Sequence, residues 1–204
     1  MIEFKNVSKQ YDSKLALDNL NLTINDGEIF GLIGHNGAGK STAIKALTSI
    51  IEVSNGDILF DNMNLRENRL ECKKQIGYVP DSPDIFLTLS PYEYWSLIAN
   101  LYELDEKTTE ERIYEYSKLF NMIGVEHQEI NSFSHGMRQK VFLIAALLSN
   151  PRFWIMDEPI SFLLLILAFT RCSAIFAASS SENFIPSSSF INSRAFNPIP
   201  YSFG

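Results

Sequence analysis

The sequence predicts a mixed α/β fold built on a parallel sheet. Three observations predict it. Short alternating or apolar strands fill the first 80 residues, the stretch from Ser90 to Leu148 has helical periodicity, and a glycine-rich turn joins a buried strand to a helix. The chain has 204 residues, enough for one domain with a small insertion and for a core that needs no disulfide staples. Apolar residues make up 46% and charged residues 20%, a globular balance that excludes wholly disordered, collagen-like and coiled-coil chains.

The elements follow in order. Ile2-Glu3-Phe4-Lys5-Asn6-Val7 and Leu20-Asn21-Leu22-Thr23-Ile24 alternate as half-buried strands do. Asn25-Asp26-Gly27 is a hairpin-grade turn. Glu28 to Ile33 is nearly all apolar, as in a strand buried on both faces. A helix is predicted from Lys40 to Ile51, then a short strand at Gly56-Asp57-Ile58-Leu59-Phe60. Ser90-Pro91-Tyr92-Glu93 is a capping box with proline at the first helical position, and Thr108 with Glu111 is read as a second box. Phe153 to Met156 is an apolar strand ending in Asp157 and Glu158.

Charge and cysteine usage narrow the function classes. The net charge of −7 argues against non-specific attraction to nucleic acid. Cys72 and Cys172 stand too far apart to suggest a disulfide framework or a zinc site, so a reducing compartment is expected. No secretory signal pattern follows Met1.

Composition changes after Pro159. Residues 160–204 hold only three of the 41 charged residues, Arg171, Glu182 and Arg194, and carry ten serines and seven phenylalanines. Ile160 to Ala178 approaches the length of a membrane span, but Thr170-Arg171 interrupts it. The rest, with its serine triplets and prolines, reads as low-complexity and poorly ordered.

Gly34-His35-Asn36-Gly37-Ala38-Gly39-Lys40-Ser41 has the spacing of a phosphate-binding loop, between a predicted strand and a predicted helix. Glycines let backbone N–H groups turn inward around phosphate oxygens, and the helix N-terminus adds partial positive charge. Lys40 can reach the β- and γ-phosphates, and the Ser41 hydroxyl can take a place on Mg²⁺. Asp157, at the carboxyl end of its strand, is placed to hold Mg²⁺ directly or through water. Glu158 is the candidate catalytic residue, as general base or as the group that orients water.

With these residues in view, the chain resembles the ATP-binding subunit of ABC transporters over residues 1 to about 159. A third motif supports the resemblance. Phe133-Ser134-His135-Gly136-Met137-Arg138-Gln139-Lys140 is similar to the family signature, with Ser134 as the N-cap of an apolar helix. In the family that site faces the γ-phosphate bound by the other subunit of a head-to-tail dimer. The resemblance implies a P-loop NTPase fold with an antiparallel β subdomain, and an inserted helical subdomain at about residues 85–150. It implies nucleotide contacts from Gly34 through Ser41 and from Thr42, and signature contacts from Ser134, His135, Gly136 and Met137. Tyr11 falls where the family stacks an aromatic residue on adenine; a half-buried strand tyrosine is the other reading. Ile76-Gly77-Tyr78-Val79-Pro80 matches the strand leading to the family's Q-loop, which makes Asp81 a candidate metal contact with Ser41 and Asp157.

Three departures accompany the resemblance. Asp81 stands where the family usually has Gln, and His135 and Met137 replace a Gly and the Gln of the signature. Residues 160–204 hold no Asp and no His, where the family continues with a Leu-Asp loop, further strands and a γ-phosphate-contacting histidine. The domain is therefore expected to be incomplete at its C-terminus, by frameshift or truncation after Pro159. A fused membrane anchor is the alternative.

The resemblance implies ATP and Mg²⁺ as cofactors, and a membrane permease and a second ATP-binding subunit as partners. It implies a cytoplasmic place at the inner face of the membrane, and an export-type function. Two other functions compete: a remnant that binds nucleotide without completing hydrolysis, and a soluble ABC-type protein of ribosomes or DNA repair. The last usually carries two such domains or a long coiled-coil insertion.

Overall fold

The computed structural model describes residues 1–81, 86–157, 173–179 and 190–191. The chain divides into two units, Met1–Ile76 with Phe153–Gly204, and Gly77–Arg152.

In the first unit, β1 (Ile2–Tyr11) and β2 (Lys14–Ile24) form a hairpin, and β4 (Asn55–Phe60) and β5 (Met63–Asn64) extend it to a four-stranded antiparallel sheet in the order β2-β1-β4-β5. Strand alternation sends Ile2, Phe4, Leu20, Leu22, Ile24, Ile58 and Phe60 to one buried side. The register shifts between Phe4 and Lys9, where Asn6 has φ 53° and its N–H donates to Asn21 Oδ1. Gly56 meets β1 at this bulge. A Cβ on Gly56 would collide with the Asn6 and Lys5 carbonyls, so only glycine lets β4 approach.

The second sheet of this unit is parallel. β3 (Ile29–Gly34) pairs with β8 (Ser173–Ser179) and with β9 (Phe190–Ile191), and β8 pairs on its other side with β7 (Phe153–Asp157). Phe153 to Met156 are buried, and Phe153 packs edge-to-face on Phe60 at 5.6 Å. The turn at Asn25–Gly27 therefore carries the chain from one sheet to the other and closes no hairpin. Glu28 satisfies that turn by accepting from the Asn25 N–H at 2.9 Å.

In the tail, β8 lies within the parallel sheet. Ser173 to Ser179 is a strand, so the apolar run ending at Ala178 is no continuous membrane helix. The paired strand also covers the edge of β7 that an unpaired tail would leave open. Among the described residues no helix is long and apolar enough to cross a membrane.

Helix α1 (Lys40–Leu47) is shorter than the sequence predicts. Thr48 caps it, Ser49 takes φ 55°, and the Ile50 N–H donates back to the Lys45 carbonyl at 2.8 Å. This is a Schellman stop made without glycine, so no residue type advertises it. The short helix α2 (Arg69–Lys74) buries Cys72, and burial raises its thiol pKa.

The second unit packs three helices: α3 (Pro91–Leu101), α4 (Glu106–Leu119) and α5 (His135–Leu148). Strand β6 (Ile76–Val79) begins at the boundary of the units. Trp95 is 0% exposed, and its Nε1–H donates to the Val141 carbonyl of α5 at 2.9 Å. Tyr94 lies on Phe142 with ring centroids 4.9 Å apart, and burial pushes its pKa up to about 12. The capping box at Ser90 is present in full. The second predicted box is not. Asp105 caps α4 and accepts from the Thr108 N–H at 2.9 Å, because the helix starts one turn earlier than an apolar count suggests.

Candidate functional site

The loop from Gly34 to Gly39 connects the carboxyl end of β3 to α1. Among the described residues, every other helix of eight or more residues starts at a side-chain cap: Ser90, Asp105 or Ser134. At α1 the N-cap is Gly39, with φ 90° and no side-chain cap. Its first-turn N–H groups, which have no intrahelical acceptors, are left to an external anion. A glycine is required because a Cβ at residue 39 would lie 2.5 Å from the Ala16 carbonyl oxygen. A Cβ on Gly37 would meet nothing within 4 Å, so the mouth of the loop is open on that side.

Lys40 is only 6% exposed. Its Nζ donates to the Gly34 carbonyl at 2.6 Å and to the His35 carbonyl at 3.1 Å, so the amine lies back across its own loop. Ala38 N–H closes the turn onto the His35 carbonyl at 3.1 Å. His35, Asn36, Gly37 and Ser41 are exposed, and Thr42 is half-buried in the first turn of α1. The open loop, the uncapped helix end and the buried cation fit a polyphosphate.

Asp157 ends β7 and is partly exposed. Its partner on β8 is Ala177, and Ala177 pairs in turn with Leu32 of β3. Asp157 and the loop beginning at Gly34 therefore lie at the same end of the parallel sheet, one strand apart, about 10 Å between β3 and β7. The exposed Ser41 hydroxyl and the Asp157 carboxylate are hard oxygen donors of the kind Mg²⁺ accepts alongside phosphate oxygens. Glu158 lies outside the described residues.

Tyr11 is 42% exposed at the tip of the β1–β2 hairpin, which removes the half-buried reading. Lys9 Nζ stands 5.1 Å from its ring centroid. Lys9 also pairs with Leu17, the residue after Ala16, so this hairpin flanks Gly39. Lys9 and Ala16 were not singled out from the sequence. Strand alternation could have placed Lys9 on the face of Tyr11, whereas the contact of Ala16 with Gly39 has no local signal.

In the other unit, Ser134 caps α5 and accepts from the Met137 N–H at 3.4 Å. Ser134 and His135 are exposed, Gly136 and Met137 are half-buried, and a Cβ on Gly136 would meet nothing within 4 Å. Arg138 ties the segment down by donating to the Asn131 carbonyl at 2.8 Å. Asp81 is an exposed residue that follows β6.

A profile of the ABC transporter family matches residues 17–161. A Bacillus subtilis (strain 168) relative, named an uncharacterized ABC transporter ATP-binding protein, YhcH, is 33% identical over 159 residues, covering 78% of this chain and 51% of its own length. The lipopolysaccharide export system ATP-binding protein LptB of Escherichia coli (strain K12) is 34% identical over 160 residues, covering 76% of this chain and 66% of its own. The chain thus spans about half to two-thirds of the length of these curated relatives. Among solved structures, an ATP-binding subunit of an ABC transporter superposes with a TM-score of 0.81 at 28% identity, over 88% of this chain and 80% of that one.

Proposed function

The chain belongs to the ABC transporter family of ATP-binding domains, with the P-loop NTPase fold, and from that premise we propose that it binds ATP to drive export through a separate membrane permease. The observation that carries the proposal is the placement of the phosphate loop and Asp157 at one end of the parallel sheet, a single strand apart. The export system named for the relative LptB supports the direction of transport.

The residues take these roles. The loop from Gly34 to Gly39 and the first turn of α1, with Ser41 and Thr42, hold the phosphates through backbone N–H groups. Lys40 turns from its own carbonyls to the β- and γ-phosphate oxygens, exchanging neutral acceptors for charged ones. Tyr11 offers an exposed ring face to adenine. Ser41 and Asp157 supply oxygens for Mg²⁺, which when bound neutralises charge on the phosphates. Glu158 orients the attacking water or accepts its proton. Ser134, His135, Gly136 and Met137, at the capped start of α5, serve the nucleotide of a second subunit in a head-to-tail pair. Residues 1–159 carry the ATP-binding domain, incomplete by themselves and joined in the sheet by β8, with the helical subdomain at about 85–150. The assembly sits at the cytoplasmic face of the membrane through its permease.

Titrating the full chain with a fluorescent ATP analogue and Mg²⁺ tests this reading. Lys40→Ala is expected to weaken binding roughly ten- to a hundred-fold, the effect of losing a hydrogen bond to a charged group. Equal binding by both proteins refutes it. Co-purification with a membrane permease tests the coupling.

A further inference from the structure

Lys9 and Tyr11 share one face of the β1–β2 hairpin, with the Lys9 Nζ over the Tyr11 ring at 5.1 Å from its centroid. The register carries that face toward the phosphate loop. Lys9 pairs with Leu17, and paired residues of an antiparallel ladder project to the same side. Leu17 is 2% exposed, and its Cδ2 lies 3.0 Å from where a Cβ on Gly39 would stand. Gly39, Leu17, Lys9 and Tyr11 therefore form a row from the phosphate loop to the tip of the hairpin. Tyr11 is exposed, and among the described residues neither a hydrogen bond nor another ring holds its side chain. Lys9 is half-buried, and no carboxylate among the described residues pairs with it. Ring and ammonium are held by each other.

We propose that Lys9 is a positioning residue for the nucleobase, its ammonium covering one face of the Tyr11 ring so that adenine stacks on the other. An exposed tyrosine that turns freely about its side-chain bonds loses that freedom when a base stacks on it. Lys9 reduces the loss by holding the ring before the base arrives. Its charge also draws on the π-cloud of the ring, which eases the repulsion between two electron-rich faces in a stack.

This inference rests on the nucleotide-binding reading above, and the test separates the two. Affinities for a non-hydrolysable ATP analogue and for inorganic tripolyphosphate, which has no base, are measured by calorimetry with Mg²⁺. The proteins are the full chain, Lys9→Met, Lys9→Arg, Tyr11→Ala and the double variant Lys9→Met with Tyr11→Ala, each checked for folding by circular dichroism. Lys9→Met is expected to lose roughly three- to ten-fold in affinity for the ATP analogue, the range of a cation–π contact, and nothing for tripolyphosphate. Lys9→Arg is expected to keep the affinity, because a guanidinium also seats on an aromatic face. In the Tyr11→Ala background Lys9→Met is expected to add no further loss, since its effect passes through the ring. Unchanged affinity for the ATP analogue in Lys9→Met overturns the inference alone. So does an equal loss for both ligands, which would make Lys9 a phosphate contact or a residue of the fold, and so does the same loss with and without the ring. Absence of ATP binding by the unsubstituted chain overturns the functional reading and this inference together.

Discussion

Gly39 and Ala16 lock the phosphate loop against the antiparallel sheet: a Cβ on Gly39 would sit 2.5 Å from the Ala16 carbonyl oxygen and 3.0 Å from Leu17 Cδ2. The nearest atom is backbone, which cannot swing away as a side chain can. Gly39 also has φ 90°, a conformation that costs a residue with a Cβ about 1–2 kcal/mol. Gly39→Ala is therefore expected to weaken ATP binding and lower the melting temperature, both measurable on one preparation. A protein melting and binding as before would show that the loop can shift away from β2.

The central place of β8 makes it part of the sheet. Ala177 faces Asp157 on one side and Leu32 on the other, so proline there removes a ladder donor from an interior strand. Ala177→Pro is expected to destabilise the first unit by about 3 kcal/mol or more, read as a lower urea midpoint. A loosely attached tail would leave the midpoint where it was.

Trp95 anchors the helical unit. It is fully buried, and its Nε1–H satisfies the Val141 carbonyl. Trp95→Ala is expected to cost about 3–5 kcal/mol, and Trp95→Phe less, with the lost hydrogen bond as part of the difference. Chemical denaturation followed by far-UV circular dichroism orders the variants. The idea fails if Phe and Ala cost the same.

Two caps in this unit make its stability depend on acid pH. The Ser90 N–H and hydroxyl hold the Glu93 carboxylate below its ordinary pKa, and the Thr108 hydroxyl and N–H do the same for Asp105. A carboxylate whose folded pKa is depressed stabilises the fold above its unfolded pKa, and the contribution is lost as pH falls through the folded value. Melting temperatures are expected to fall below about pH 4, and Glu93→Gln to flatten that dependence. Parallel curves for the two proteins would assign the acid sensitivity elsewhere.

Features whose causes are local can be read from the residues alone. The phosphate loop is legible because tight turns demand glycine and phosphate demands amides and a lysine at set spacing. The capping box at Ser90 and the cap at Ser134 are legible because a hydroxyl reaches only its own first turn. The end of α1 at Leu47 was not, since Ser49 stops the helix at a positive φ that residue type does not announce. The pairing of Ser173 to Ser179 is visible in the fold alone. Thr170-Arg171 argues against a membrane span there, but no local pattern reveals a paired strand. Pairing with β3 and β7 resolves it, because a strand interior to a parallel sheet needs two partners far away in sequence. The same long-range pairing puts Gly34 and Asp157 at one end of the sheet, where the strand-end rule expects the carboxylate.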